Sequence, residues 1–176
     1  MARKILSMLL ILVALVACAE KEAPIAGGKT ASSDFKLDRL SIPDSEAGKV
    51  RGQLLYVPIY SNIPCRDDRL FDLSAFIAIH NTDVKRTIRI TNVFYFDNDG
   101  RLVKDFLTQE TSLPPLGATN FYIPKTDKSG TGANFLVEWK ADVPVTEPLV
   151  ESVMLNCEIH KSIAFLSKAK VIREMK

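Results

Sequence analysis

Two cysteines, Cys65 and Cys157, are the side chains of this sequence with the clearest chemical potential. Each follows a predicted strand, so the two thiols could lie at the same rim of a folded domain if those strands run parallel. In an oxidising compartment such a pair forms a disulfide, which over so long a loop would stabilise the fold by about 4 to 5 kcal/mol in the chain-entropy model. The sequence predicts a Cys65–Cys157 bridge; the alternative is two unpaired, partly buried thiols.

A soft-metal site is an alternative to the disulfide, because it would require the same Cys157 thiol. Met154, Cys157 and His160 lie close in sequence, and Cys65 could be a fourth member. Thioether, thiolate and imidazole are ligands that select Cu(I). Odd offsets along a strand place side chains on opposite faces, so these residues converge only if the chain turns after Leu155.

Other polar clusters favour turns over catalysis. His80 and Asp83 flank a corner in which Asn81 and Asp83 can bond their own backbone. Joining them to a cysteine as a nucleophilic set has no local motif in support. Ser129-Gly130-Thr131-Gly132 leads into a predicted strand, whereas a phosphate loop leads into a helix. The sequence therefore predicts no catalytic residue and no cofactor.

The third cysteine, Cys18, has the most specific surroundings. Leu15-Val16-Ala17-Cys18 ends an uncharged apolar run that follows Arg3 and Lys4. A basic start, a short apolar run and a small residue before a cysteine are typical of a bacterial lipoprotein signal peptide. We expect cleavage before Cys18 and attachment of acyl chains, palmitate among them, to that residue. Several acyl chains together anchor a protein stably to a membrane.

Charge and location indicate the partners to expect. The chain has 23 Lys and Arg against 21 Asp and Glu, and removal of Arg3 and Lys4 leaves 21 of each sign. A neutral, mixed balance argues against nucleic acid as a partner. We expect a cell-envelope protein held to the membrane by its N-terminal lipid, with another envelope protein as a candidate partner. Ala19 after the acylated cysteine favours the periplasmic face of the outer membrane in a Gram-negative cell.

Composition divides the chain into three parts. Residues 1–17 form the signal peptide, residues 18–49 the acylated cysteine and a flexible tether, and residues 50–176 a single β domain. The domain is of ordinary size for one hydrophobic core.

Alternating apolar residues predict about eight short strands in that domain. Phe71–Ile79 alternates most clearly, Pro58 suggests an edge strand or a bulge, and Asp97-Asn98-Asp99-Gly100 is typical of a hairpin turn. The pattern favours an all-β, antiparallel, immunoglobulin-like sandwich with Trp139 in its core. A small closed β-barrel is the alternative. The predicted strands are 54–60, 71–79, 87–96, 101–107, 119–123, 133–140, 150–155 and 163–172.

Five segments resemble the bacterial family of domain of unknown function 3124 over about residues 55–172. They are Tyr56-Val57-Pro58-Ile59-Tyr60-Ser61, Ile79-His80-Asn81-Thr82-Asp83, Gly132-Ala133-Asn134-Phe135-Leu136-Val137-Glu138-Trp139, Glu147-Pro148 and Phe165-Leu166-Ser167. The resemblance implies a small exported or lipid-anchored domain with no established activity or ligand.

Together these observations predict a lipid-anchored envelope protein whose domain is a non-enzymatic binding or structural module. Two alternatives remain open at this stage. A periplasmic copper-binding protein would use Met154, Cys157 and His160, whereas a small-ligand carrier would enclose an apolar cavity inside a barrel.

Overall fold

A computed structural model describes residues 41, 45, 48–67, 69–158 and 161–176, with Lys161 described by its backbone only. The predicted signal peptide, Cys18, nearly all of the predicted tether and His160 lie outside these residues. In the described part of the chain, no helix is long and apolar enough to cross a membrane.

Twelve β-strands and no helix make up the described residues, in agreement with the predicted all-β class. Their bounds are β1 Val50–Pro58, β2 Asn62–Pro64, β3 Leu70–Asp72, β4 Ser74–His80, β5 Ile88–Phe96, β6 Leu102–Asp105, β7 Thr111–Leu113, β8 Ala118–Ile123, β9 Asn134–Val145, β10 Leu149–Glu158, β11 Lys161–Lys168 and β12 Lys170–Met175.

These strands form two antiparallel sheets and a small hairpin. The front sheet has the order β12-β1-β9-β5-β6, with β7 also paired to β5; the back sheet has the order β11-β10-β4-β8; and β2 pairs with β3. This arrangement confirms the predicted sandwich. The closed-barrel alternative is wrong, because each sheet ends in edge strands instead of closing on itself.

The core lies between the two sheets and follows the period of two in the sequence. Leu73 and the alternate residues of β4 up to Ile79 are fully buried, as the alternation predicts. Trp139 on β9 is also fully buried, and its indole N–H donates to Gln53 Oε1 at 3.2 Å. The lone tryptophan is therefore the predicted core anchor, with its polar atom satisfied.

On one side of the sandwich the chain passes directly from the back sheet to the front sheet and so connects their edges. β11 belongs to the back sheet and β12 to the front sheet, and only Ala169 separates them. The Ala169 N–H donates to Val150 O at 3.0 Å, and the Ser152 hydroxyl donates to Pro58 O at 2.7 Å. Among the described residues, no such crossing strand lies on the opposite side. It is bounded by β6 and β7 in front and β8 behind.

Two local expectations differ from the observed strands. β1 is a central strand between β12 and β9, so of the two alternatives predicted from Pro58, an edge strand or a bulge, the edge position is wrong. Proline is tolerated there because the β12 ladder ends at Tyr56, two residues earlier. A register shift between Leu54 and Leu55 marks a bulge in this strand. The three-residue strands β2 and β7 were not predicted, since so short a segment has no measurable period. A register shift between Ile90 and Asn92 marks a bulge in β5.

Candidate functional site

A cleft of about 660 Å³ lies on the side that no strand closes. The β5–β6 hairpin, the end of β8 and the loop after β8 form its walls. This volume is in the range of known small-molecule sites. The lining residues are Tyr95, Asp97, Asn98, Asp99, Val103, Lys104, Phe106, Tyr122, Ile123, Pro124, Thr126, Asp127, Lys128 and Ser129.

Aromatic rings fill the space between the sheets beside this cleft. Tyr95 packs on Phe135 with 4.9 Å between ring centroids. Phe106 contacts Phe135 at 5.5 Å and meets Phe121 of β8 edge-on at 5.5 Å. Such pairs stabilise beyond simple area burial. The cleft therefore has a packed, preformed floor.

A buried hydroxyl and a carboxylate join the cleft floor to its wall. The Tyr95 hydroxyl donates to Asp127 Oδ1 at 3.0 Å. Ser129 donates to the same carboxylate through its N–H, at 2.9 Å, and through its hydroxyl, at 2.8 Å. Burial, together with the negative charge of Asp127, holds the pKa of Tyr95 well above its ordinary value. Tyr95 thus remains a hydrogen-bond donor, and the Asp127 carboxylate serves to fix the loop.

Asn98 locks the β5–β6 turn onto the loop that precedes β9. Its N–H donates to Ser129 O at 2.9 Å, and its Oδ1 accepts from the Gly132 N–H at 2.6 Å. A Cβ on Gly132 would lie 2.4 Å from that oxygen, so only glycine allows this approach. The glycines of Ser129-Gly130-Thr131-Gly132 serve loop packing, which agrees with the predicted turn.

Two side chains of the cleft remain open to solvent or to a ligand. Tyr122 on β8 is 55% exposed. The Lys104 ammonium lies 4.1 Å from the centroid of the Phe106 ring, and among the described residues no carboxylate pairs with it. In contrast, Lys128 pairs with Asp72 at 2.7 Å. The cleft therefore combines an exposed aromatic ring with a cation that has no anionic partner.

A second polar cluster, the Asn81–Asp83 corner, occupies the opposite end of β4. Asn81 and Asp83 are both almost fully buried. The Asn81 amide donates to Leu113 O at 3.1 Å and to Pro114 O at 2.9 Å, while its Oδ1 accepts from the Asp83 N–H at 3.0 Å. The predicted self-bonded corner is therefore confirmed.

The Asp83 carboxylate is held by backbone donors from two loops. It accepts from the N–H groups of Lys85 and Arg86, each at 2.9 Å, and of Thr146 at 3.0 Å. Burial would by itself raise the pKa of Asp83, but these bonds and the Arg86 charge outweigh it and lower that pKa. His80 is exposed on the outer face of the back sheet and makes no pair with Asp83. The corner holds loops in place.

Glu138, the carboxylate beside Trp139, is also bound. It accepts from the Thr91 hydroxyl at 2.6 Å and from the Asn92 amide at 2.7 Å. The Thr91 bond is the main cause that lowers the pKa of Glu138, and the Lys140 charge adds to it. A carboxyl with a lowered pKa is ionised at neutral pH and is not suited to act as a general acid.

The two cysteines lie at the same end of the sandwich as the cleft. Cys65 follows β2, and Cys157 is near the end of β10. The neighbouring residue Asn156 donates to Asp72 O of the β2–β3 hairpin at 2.8 Å. Both thiols are exposed and are not bonded to one another in this structure, so the disulfide stays a prediction. We expect unreduced protein from an oxidising compartment to be two hydrogens lighter by mass analysis, with no free thiol; two free thiols would rule out the bridge.

The residues proposed as copper ligands do not converge in the described structure. Met154 is fully buried on the inner face of β10, whereas Cys157 is exposed near the end of that strand. No group of three or more His, Cys, Asp or Glu among the described residues could hold a metal. His160 lies outside those residues, so the complete set stays untested.

The sequence pattern did not reveal the cleft, because its walls come from segments far apart in the chain. Tyr122, Lys104 and Phe106 each have an ordinary alternating context. One signal was present: the strand around Tyr122, from Ala118 to Ile123, has no charged residue, which is unusual for an exposed strand.

An antiparallel sandwich with a cleft along its open side is the class of domain that these observations define. Within that class, the chain belongs to the family described as "Protein of unknown function (DUF3124)", which matches residues 52–172. The resemblance drawn from the five sequence segments is thereby confirmed.

Comparison with solved structures and with curated proteins gives one distant structural similarity. Among solved structures, the chain is similar to a Thermotoga maritima protein, "Crystal Structure of Thermotoga maritima 1070". The TM-score is 0.41, at 12% sequence identity over 70% of this chain and 95% of that chain. No curated protein matches the chain.

Proposed function

We propose that this protein is a lipid-anchored cell-envelope protein whose β-sandwich is a non-enzymatic binding module. The observation that carries the proposal is the cleft on the open side of the sandwich. Its floor is preformed, yet Tyr122 and Lys104 remain available to a ligand. A preformed apolar surface with a few oriented polar groups is the usual form of a binding site.

The use of carboxylates around the cleft supports a role in binding over one in catalysis. Asp127 is engaged by Tyr95 and Ser129. Asp97 accepts from the N–H groups of Asp99 and Arg101, each at 2.9 Å, within its own turn. General acid–base catalysis needs a carboxyl free to exchange a proton with substrate. Each of these two groups instead stabilises a loop.

The anchoring part of the proposal rests on the sequence around Cys18 and on the neutral charge of the remaining chain. Acylation there would tether the domain to an envelope membrane, on the periplasmic face of the outer membrane in a Gram-negative cell. We expect radiolabelled palmitate to label the full-length chain in a bacterial host and a Cys65→Ser control equally. A Cys18→Ser chain that still carries label, or a wild-type chain without label, would overturn the anchoring.

Site-directed photocrosslinking tests the binding module in the envelope. A photoreactive phenylalanine analogue at Tyr122 reports on the cleft, and the same analogue at Leu149 is the matched control. Leu149 is 42% exposed on the same sheet, near the opposite end. We expect a discrete adduct at Tyr122 only. No adduct at Tyr122, or hydrolysis of ester, peptide or glycoside substrates that a single substitution abolishes, would overturn the proposal.

A further inference from the structure

The edge strands of this sandwich differ in how they are protected from pairing with another strand. Natural edge strands carry charges or prolines, or are kept short, because their unpaired backbone groups otherwise recruit new strands. β6 is four residues long and contains Lys104 and Asp105, and β12 contains Lys170, Arg173 and Glu174. β11 begins and ends with lysine. β8 has none of these protections in its six residues, Ala118 to Ile123.

The register of β8 identifies which of its backbone groups are unpaired. The Asn81 N–H donates to Gly117 O at 2.8 Å, in line with the β4–β8 pairing. Because bonded pairs alternate along an antiparallel ladder, Thr119, Phe121 and Ile123 bond to β4. The N–H and C=O groups of Ala118, Asn120 and Tyr122 then point away from the sheet. Among the described residues, no hydrogen bond outside the ladder engages them.

The free edge of β8 runs beside the cleft. Tyr122 and Ile123 line the cleft from the β8 side, and Lys104 and Phe106 line it from the β6 side. A strand added to β8 would place alternate side chains on the same face as Phe121, which packs on Phe106. Those side chains would meet an aromatic ring and an ammonium group that has no carboxylate partner among the described residues.

We infer that the free edge of β8 binds an extended peptide segment of another protein by strand addition. The bound segment places an apolar side chain against Phe106 and a carboxylate at Lys104. Backbone hydrogen bonds give affinity in this mode, and alternate side chains give specificity. The inference rests on the proposed function, because it names the ligand class of the same cleft.

Two substitutions at Asn120 distinguish the contribution of its backbone to peptide binding from that of its side chain. Short linear peptides are selected by phage display on the full-length chain, and a synthetic peptide of the enriched sequence is the probe. Asn120→Pro removes one free N–H of the edge, so we expect it to weaken binding about tenfold. Asn120→Ala keeps that N–H and should bind as wild type does. Lys104→Glu should weaken an acidic peptide about threefold and favour its lysine-substituted form.

Amide hydrogen exchange keeps the inference testable if Asn120→Pro does not fold. Bound peptide should slow exchange of the Asn120 and Tyr122 amides, which face the free edge. It should leave the Thr119 and Phe121 amides nearly unchanged, because these already bond to β4. Equal affinity of folded Asn120→Pro and Asn120→Ala, or protection confined to other strands, would overturn the inference.

Other results separate this inference from the proposed function. If no selected peptide binds but Tyr122 still crosslinks to a protease-resistant molecule, strand addition is wrong and the binding module stands. If Tyr122 also fails to crosslink, both are wrong. A stable dimer that Asn120→Pro dissociates would overturn the inference as well, since β8 would then pair with a second copy of this chain.

Discussion

The two ends of β4 use polar residues in opposite ways. At the His80 end, Asn81 and Asp83 are buried, and their side chains bond to the backbone of surrounding loops. At the Ser74 end, Tyr122 and Lys104 line an open cleft. The first arrangement stabilises the domain, and the second leaves an aromatic ring and an ammonium group available to a partner.

This difference separates the family resemblance from the candidate function. Ile79-His80-Asn81-Thr82-Asp83 is one of the segments through which the sequence resembles its family, and in the structure it is a loop anchor. The residues that could contact a partner lie outside the segments that carry the resemblance. A motif that identifies a family can therefore report on architecture alone.

The largest loss of stability should come from Asp83→Ala. The substitution leaves three part-buried backbone N–H groups without their acceptor, so we expect it to lower the free energy of unfolding by about 3 kcal/mol. Urea denaturation measures the loss. Asp142→Ala is a matched control, because Asp142 is 81% exposed in its pair with Arg89 and should cost less than about 1 kcal/mol. Equal losses for the two variants would contradict the structural role of the corner.

The same carboxylate should make stability depend on pH in the acid range. Because the folded state lowers the pKa of Asp83, its contribution is present above the unfolded value of about 3.9 and is lost as pH falls through the folded pKa. We expect the urea concentration at the unfolding midpoint of wild type to decrease once the pH is lowered below about 4. Asp83→Asn should be less stable at neutral pH and should lose less over that acid window. Parallel pH profiles for the two proteins would argue against this assignment.

A smaller loss is expected where the cleft wall is locked. Gly132→Ala places a Cβ against Asn98 Oδ1, so we expect it to cost about 2 kcal/mol through overpacking. Asn98→Ala removes the obstructing oxygen together with its hydrogen bond. The double variant should therefore be less destabilised than the sum of the single variants, as a double-mutant cycle measures. Additive losses would mean that the two residues do not interact.

The sequence predicted what depends on periodicity and missed what depends on assembly. The alternation from Phe71 to Ile79 predicted a buried face, and the Asn81–Asp83 corner was predicted because its bonds are local. Pro58 predicted an edge strand or a bulge, and the edge position was wrong, since only the length of the β12 ladder explains why proline is accepted in a central strand. The cleft could not be predicted, because β5, β6 and β8 meet only through the order of strands in two sheets.

The smallest effect on stability is expected in the cleft itself, and it is the one that distinguishes the two ends of β4 most sharply. Tyr122→Ser removes an exposed ring, and Lys104→Ala removes a cation–π contact worth about 0.5 to 1 kcal/mol. We expect each to change the free energy of unfolding by less than about 1 kcal/mol, as is usual for surface positions. The same Tyr122→Ser change should weaken partner binding in the cleft. If it instead destabilised the domain as strongly as Asp83→Ala does, Tyr122 would have a structural role. It would then no longer support a binding function for the cleft.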